Sequence, residues 1–199
     1  MQTKAAAPAT FLQGRSAQAL VQAYFEFNQL KHLYRQGWLR VAIPRERCES
    51  VAEHSFGVAL LCLFLADSHF PEADVSKLLR IALLHDIGEA RVGDITPHDG
   101  VSKAEKEAQE RIAVQQVLGA LPRAAEYVAL WEEYEHGTSL EARLVRQVDR
   151  LEMGFQACIY EHLGAGDLSE FYASTAKALE SPELKAVLEE LRALRPSAG

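Results

Sequence analysis

The sequence predicts an all-α fold built as one domain. Apolar residues recur at every third or fourth position along most of the chain, which is the spacing of a helix face. No segment of useful length alternates apolar and polar residues, as a half-buried strand would. The 199 residues show neither an internal repeat nor a linker-like stretch, and this length supports a single core.

The first three predicted helices have recognisable ends. The first carries an apolar stripe of leucines and aromatic residues, and Gly37 follows it as a natural stop. A capping box, Ser50 to Glu53, opens the second helix, which is apolar nearly all round and is therefore expected to be the buried central element. Asp74 is suited to cap the third, and Gly88 follows its end.

The second half of the chain continues the helical pattern after a loop. Residues 91–101 are rich in Gly and Pro and are predicted to form this loop. Another capping box, Ser102 to Glu105, starts the next helix, and Pro122, Ser139 and Pro182 suit the starts of three later ones. In chain order, the predicted helices cover residues 16–34, 50–68, 75–86, 102–118, 122–135, 140–163, 167–180 and 182–194.

We expect the domain to cover residues 15–195, after a disordered lead over residues 1–14. The lead contains one Lys and no apolar segment like that of a secretory signal. The longest apolar run, Phe56 to Ala66, has 11 residues, about half of what a bilayer crossing needs, so no membrane span is expected. Three cysteines without a CxxC pair predict reduced thiols and a cytoplasmic location.

The charge balance argues against a general binder of nucleic acid polymers. The chain has 21 basic and 28 acidic residues, with a net charge of −7. Residues 31–47 reverse this balance, with several Lys and Arg residues and one Glu. Such a segment is compatible with a solvated loop and also with a docking surface for a small phosphorylated ligand. The composition leaves both interpretations open.

Polar residues of metal-binding type occupy helix faces that the periodicity assigns to the core. These are His54, His85 with the adjacent Asp86, and Asp149. A lone buried His is usually a hydrogen-bonded core residue, and a lone Asp usually caps a helix or pairs with Arg. A buried unpaired carboxylate costs several kcal/mol. Two imidazoles and two carboxylates from three helices together suit one divalent cation, which would neutralise both acids.

The spacing adds one condition to this metal site. Adjacent helical residues point about 100° apart, so His85 and Asp86 cannot share a face of a regular turn. They can converge on one ion where the helix ends and unwinds, and Gly88 favours such an end.

The order H…HD…D of these four residues resembles the metal-binding pattern of the HD-domain metal-dependent phosphohydrolases. Further segments resemble the 5′-deoxynucleotidase branch of that family, and the resemblance covers about residues 30–191. The matching segments are Glu49–His54 (ESVAEH), Leu84–Ala90 (LHDIGEA), Val92–Ile95 (VGDI), Leu130–Glu135 (LWEEYE) and Val145–Asp149 (VRQVD). The resemblance implies a single HD-domain helical bundle with a buried divalent metal site.

The resemblance also implies roles for individual residues. The implied ligands of one divalent cation (Co, Mn, Zn, Fe, Ni or Mg) are His54, His85, Asp86 and Asp149. Glu89 matches a catalytic acidic residue beside the metal, and Asp94 matches an acidic residue near the phosphate and the attacking water. Arg35 matches a substrate-binding Arg. Trp38 corresponds to a sugar-contacting Trp, although bacterial members place that Trp directly after the Arg.

Each of these assignments has a purely structural alternative. Glu89 can be a solvated residue at a helix end, Asp94 a turn former, and Trp38 a core anchor. Some HD enzymes hold two metals with additional histidines, but His98 and His136 do not fit that pattern and are interpreted as loop residues.

The implied function is hydrolysis of deoxyribonucleoside 5′-monophosphates to deoxynucleoside and phosphate, by a protein that is commonly dimeric in this branch. Three alternatives stay open. The first is an HD hydrolase of another nucleotide: a dNTP, a cyclic nucleotide or a guanosine polyphosphate. The second is a non-catalytic metal-binding module. The third is a di-iron oxygenase, which needs more ligands than the sequence offers.

Overall fold

The computed structural model describes residues 2–196, and over this range it contains helices and two isolated antiparallel bridges but no β-strand. The all-α prediction is confirmed. The α-helices are α1 (Ala19–Phe27), α2 (Gln36–Arg40), α3 (Val51–His69), α4 (Val75–Leu84), α5 (Glu89–Val92), α6 (Lys103–Leu118), α7 (Ala124–His136), α8 (Leu140–His162), α9 (Ser169–Ala178) and α10 (Pro182–Ala193). Two 3₁₀ helices cover Pro8–Leu12 and Asn28–Lys31.

Helix starts that depend on local side-chain bonds lie where the sequence predicts them. Ser50 and Ser102 each accept a bond from the backbone N–H three residues on, and the Glu at that position bonds back to the serine N–H. Asp74 and Ser139 cap α4 and α8 with single bonds of the same kind. The last helix ends within one residue of its predicted end, at Ala193.

The prediction of one helix over residues 16–34 is wrong in its second half. Helix α1 ends at Phe27, the 3₁₀ helix Asn28–Lys31 follows, and the chain becomes extended only from Leu33. The reason is a pairing with a distant segment: the Arg35 N–H donates to the Glu49 carbonyl at 3.1 Å, and the Val51 N–H donates to the Leu33 carbonyl at 2.9 Å. This pairing fixes the backbone that carries Arg35.

The lead also pairs with this extended segment. The Lys4 N–H donates to the His32 carbonyl at 2.6 Å, and the Gln2 N–H donates to Gln36 Oε1 at 2.9 Å. Pro8 is buried. The sequence predicts disorder over residues 1–14. Met1 lies outside the described residues, and residues 2–14 are placed against the domain by these contacts.

The loop predicted over residues 91–101 begins slightly later than expected, because the short α5 reaches Val92. Gly93 ends α5 with a φ of 88°, a conformation that residues with a side chain rarely adopt. Gly137 ends α7 in the left-handed region. His136 is therefore the last residue of a helix rather than part of a loop.

The interior consists of two hydrophobic clusters. The larger one packs α3 and α4 against α8, α9 and α10, and the smaller one joins the first part of α3 to α6 and α7. The central helix α3 is buried on only one side, since Phe56 and Phe64 are 64% and 57% exposed. By length and composition α3 meets the criteria for a membrane span, but its buried side packs on α4 and α8.

Candidate metal centre and substrate pocket

Three helices bring the four predicted metal ligands together. His54 lies on α3, His85 directly follows α4, Asp86 lies in the next turn, and Asp149 lies on α8. His54 Nε2 is 3.1 Å from an Asp149 oxygen and 3.8 Å from Asp86 Oδ2. His85 Nε2 is 3.1 Å from the same Asp86 oxygen. The four side chains therefore face one centre.

A turn after α4 allows His85 and Asp86 to converge. The helix ends at Leu84, two residues earlier than predicted, and the Ile87 N–H then bonds to the Leu84 carbonyl at 3.0 Å. Asp86 is thus released from regular helical geometry and turns toward the same point as His85. The predicted unwinding before Gly88 is confirmed.

The Nδ1 atoms of both imidazoles have oxygen partners outside the cluster, so that both Nε2 atoms face the cluster. His85 Nδ1 lies 2.7 Å from the Ala82 carbonyl oxygen, and His54 Nδ1 lies 2.5 Å from Glu152 Oε2. An oxygen acceptor at Nδ1 places the proton there, because a neutral imidazole has one N–H. In a neutral ring each Nε2 atom then has a lone pair for a bound ion, as metal ligands do. Without an ion, the acids around His54 favour a second proton on its Nε2, which faces Asp149 Oδ1.

Unpartnered buried atoms show that the cluster fits a cation. His85 Nε2 and Asp86 Oδ2 are both buried, and neither has a hydrogen bond of acceptable geometry, although they lie 3.1 Å apart. Leaving such groups unpaired costs about 1–3 kcal/mol each. His54, His85 and Asp149 offer ligand atoms within 4.8 Å of one another. Mixed imidazole and carboxylate donors suit a divalent transition metal.

The charges of the cluster show what a cation would balance. Burial opposes the ionised form of Asp149, but Arg150 and His54 outweigh it and hold its pKa well below the usual range. Burial likewise opposes ionisation of Asp86, and His85 and Arg35 lower its pKa. Both carboxylates are ionised at neutral pH. Burial and Arg35 lower the pKa of His54, yet Glu152 and Asp149 raise it to about 10.

Glu89 is buried beside this cluster, at the start of α5, with only 2% of its surface exposed. It is therefore not the solvated helix-end residue of the structural alternative. Burial, followed by the charges of Asp86 and Asp94, raises its pKa well above the usual range. Among residues 2–196 its Oε2 has no hydrogen-bond partner, and Lys106 Nζ lies 3.9 Å from Oε1. Glu89 therefore holds its proton to higher pH than an ordinary carboxyl group does, and it is placed to donate that proton into the site.

Asp94 connects the cluster to Arg35. Its carboxylate accepts the Gln36 N–H at 2.5 Å and an Arg35 guanidinium N–H at 3.3 Å. The same Arg35 nitrogen lies 3.7 Å from Asp86 Oδ2. Asp94 thus holds the extended segment and its Arg against the metal centre, which is more than the turn-forming role of the structural alternative.

Trp38 is packed below the pocket. Its indole N–H donates to Glu49 Oε1 at 2.7 Å, and its ring stacks on Phe171 with centroids 4.2 Å apart. The ring is 2% exposed. These contacts are those of a core anchor, while the predicted contact with a sugar stays a prediction.

A cavity of about 900 Å³ opens over the cluster and reaches the surface. This volume is within the range of small-ligand sites. Basic side chains along its wall are Arg35, Arg40, Lys103, Lys106, Arg143, Arg146, Arg150 and Lys177. His98 lines the outer part of the cavity. His136 lies 3.8 Å from Glu107, and neither histidine belongs to the metal cluster.

Sequence reasoning missed several residues that contact the site. The Tyr134 hydroxyl donates to Asp149 Oδ2 at 3.1 Å, Glu152 contacts His54, and Lys106 approaches Glu89. The three-residue spacing from Asp149 to Glu152 is a signal for a shared helix face. Lys106 pairs with Glu110 at 3.4 Å and has the spacing of an ordinary surface helix pair, so no sequence signal distinguishes it.

Comparisons with known proteins agree with this architecture. The chain is 38% identical over 194 residues to the 5′-deoxynucleotidase HDDC2 of Bos taurus, covering 96% of this chain and 92% of that protein. It is 34% identical over 171 residues to the 5′-deoxynucleotidase YBR242W of Saccharomyces cerevisiae, covering 82% and 69%.

Solved structures show the same fold. A conserved hypothetical protein from Pyrococcus furiosus is 36% identical with a TM-score of 0.73, covering 87% of this chain and 99% of that one. The PH0347 protein from Pyrococcus horikoshii is 33% identical with a TM-score of 0.75, covering 88% and 99%. The family model described as HD domain matches residues 27–192. The resemblance seen in the sequence is confirmed: the chain belongs to the HD-domain family.

Proposed function

We propose that this protein is a metal-dependent 5′-deoxynucleotidase, a phosphoric monoester hydrolase that converts deoxyribonucleoside 5′-monophosphates to deoxynucleoside and phosphate. The observation that carries the proposal is the position of the buried Glu89 beside the four proposed metal-ligand side chains, in one cavity whose wall also carries Arg35 and Lys106. The relatives named 5′-deoxynucleotidase support the same reaction.

The residues of the site divide the chemistry among them. His54, His85, Asp86 and Asp149 would hold the cation. A divalent ion bound there would polarise a phosphoryl oxygen and would lower the pKa of a bound water. Arg35 binds the phosphate dianion through two guanidinium N–H groups. Asp94 fixes Arg35 and offers its remaining lone pairs to the attacking water. Glu89 donates its proton to the 5′ oxygen, which is a poor leaving group as an alkoxide.

The decisive experiment measures phosphate release from a panel of dNMPs and NMPs with Co²⁺, Mn²⁺, Zn²⁺, Fe²⁺, Ni²⁺ or Mg²⁺ added separately. We expect turnover of dNMPs, and the same panel identifies the preferred metal, base and sugar. The series includes a dNTP, a cyclic nucleotide and a guanosine polyphosphate, with analysis of which bond is broken. Folded protein that releases no phosphate from any monophosphate with any metal would end the proposal.

Two further properties belong to this proposal. We propose a homodimer, supported by the exposed apolar side chains Leu20 and Tyr24 on α1 and Phe56 and Phe64 on α3. Mass measurement by light scattering tests it, and a monomer at micromolar concentration would refute it.

We also propose a cytoplasmic location, away from membranes and nucleic acid polymers, supported by three buried cysteines without disulfides. Fractionation of cells tests the location.

A further inference from the structure

The outer side of His54 carries an acidic contact that the proposed reaction does not use. Glu152 Oε2 lies 2.5 Å from His54 Nδ1, while Asp149 Oδ1 lies 3.1 Å from Nε2 of the same ring. Both acids lie on α8, one turn apart, so side chains of one helix contact both nitrogens of the His54 ring. Glu152 is 7% exposed and His54 is fully buried, and the bond between them is therefore shielded from water.

A glycine on α3 makes room for this carboxylate. Gly57 lies one turn after His54, and a Cβ built there would be 2.7 Å from Glu152 Oε1 and 3.2 Å from its Cγ. The backbone of Gly57 does not have a positive φ, so its conformation does not require glycine. Glycine inside a helix is less favourable than alanine, because it loses more conformational freedom on folding. The space that it leaves is filled by Glu152.

We propose that Glu152 is a positioning residue of the metal centre, and that Gly57 provides the space it needs. The carboxylate accepts the Nδ1 proton of His54, which fixes the ring orientation and leaves Nε2 free to bind the ion. A carboxylate partner also makes the imidazole a stronger donor than a carbonyl partner does. His85 has only the Ala82 carbonyl at the equivalent nitrogen. The inference rests on the metal centre of the proposed function but not on any substrate.

The test titrates the metal-free protein with Co²⁺ and follows the visible absorption of the bound ion. We expect Glu152→Ala to bind Co²⁺ about 10–100-fold more weakly and with an altered spectrum, because the ring is no longer held. Glu152→Gln keeps an oxygen acceptor for the Nδ1 proton and restores most of the affinity. Gln156→Ala, one turn further along α8, serves as the matched control and is expected to bind like the parent protein.

A second variant perturbs the same contact without removing a polar group. Gly57→Ala pushes the Glu152 carboxylate away from His54, so we expect weaker Co²⁺ binding and a spectral change in the same direction as for Glu152→Ala. The double variant, Gly57→Ala with Glu152→Ala, should bind Co²⁺ no more weakly than the single variant with the lower affinity, since both substitutions act on one contact. Should Glu152→Ala fail to fold, Glu152→Gln and Gly57→Ala still carry the test.

Two results would overturn the inference. One is a Co²⁺ affinity of folded Glu152→Ala within twofold of the parent value, with an unchanged spectrum. The other is a double variant whose loss equals the product of the two single losses. The titration measures metal alone, so a protein that binds Co²⁺ as expected but releases no phosphate would refute the proposed hydrolysis and leave the role of Glu152 standing.

Discussion

At the scale of single residues, burial changes the acid–base chemistry of Glu89. Burial and the neighbouring acids raise its pKa, so its proton is held to higher pH than that of an ordinary carboxyl group and is lost as the pH rises through the raised pKa. We expect kcat/KM to fall along that alkaline limb. Glu89→Gln should lower kcat at least about 100-fold and remove the limb, while metal content stays normal.

A pH–rate profile of both proteins at constant ionic strength checks this expectation. The control is Glu189→Gln, an exposed glutamate on α10 outside the cavity, which should keep the parent profile. An alkaline limb that persists in active Glu89→Gln would assign the titration to another group.

Arg35 gives a second expectation at this scale. The Arg35→Lys variant keeps the charge but loses the paired N–H groups that match a phosphate and bond to Asp94. We expect KM for the monophosphate to rise roughly tenfold, which corresponds to about 1.4 kcal/mol. Steady-state kinetics measure it, with Arg123→Lys as control, since Arg123 is the exposed N-cap residue of α7 and does not line the cavity. An unchanged KM would mean that Arg35 does not bind the phosphate.

The clustering of the proposed metal ligands was predictable because His54, His85 and Asp149 are polar residues on apolar helix faces. Asp86 was added because it follows His85 in the H…HD…D order that resembles the HD-domain pattern. Tyr134 and Glu152 were not predictable, because their contacts depend on how two helices pack side by side. Trp38 could be placed in two ways, since a buried indole and a pocket wall have the same apolar pattern. The Asp94 bond to Gln36 joins segments 58 residues apart, and no local pattern reports it.

At the scale of elements, the turn after α4 is tightly packed against α6. A Cβ on Gly88 would lie 3.1 Å from the Glu110 carbonyl oxygen and 3.2 Å from Val114 Cγ2. We expect Gly88→Ala to lower the free energy of unfolding by about 1–3 kcal/mol, because backbone and a buried valine must move. Urea denaturation measures this change.

Gly166→Ala is the matched control for that measurement. Nothing lies within 4 Å of a Cβ at Gly166, and its φ is not positive. The substitution is therefore expected to be neutral or slightly stabilising. Equal effects of the two substitutions would contradict the packing interpretation of Gly88.

The predictability of an element depended on whether its ends are set locally. The capping boxes at Ser50 and Ser102 are short-range patterns, and both helices begin where the sequence predicts them. The break after Phe27 follows from pairing with residues 49–51, about 20 residues further along the chain. The apolar side chains after Phe27 continue the stripe of α1, and the sequence pattern therefore extends past the end of the helix.

At the scale of the whole molecule, the metal centre lies where the two hydrophobic clusters meet. Val51 and Ile87 belong to the smaller cluster, and Val58 and Ile81 to the larger one, with His54 and His85 between them. A bound ion therefore ties α3, α4 and α8 together. At a metal concentration of 100 times Kd we expect about 2.7 kcal/mol of stabilisation, or a Tm higher by about 5–10 °C.

Thermal unfolding with metal and with a chelator checks this expectation. Asp149→Asn removes one ionised ligand, and its Tm should respond much less to metal. Equal Tm shifts in both proteins would mean that the stabilising ion binds elsewhere.

The all-helical class followed from sequence periodicity, whereas the division of the core into two clusters required knowing which helices are neighbours.

The contacts of the amino-terminal segment have a practical consequence for protein preparation. Gln2 exchanges two hydrogen bonds with Gln36, whose backbone N–H is in turn held by Asp94 beside Arg35. Trimming residues 1–14 to obtain a shorter protein would remove these braces next to the phosphate-binding arginine. Kinetic measurements are therefore better made on the untrimmed chain, with any purification tag attached after the last helix.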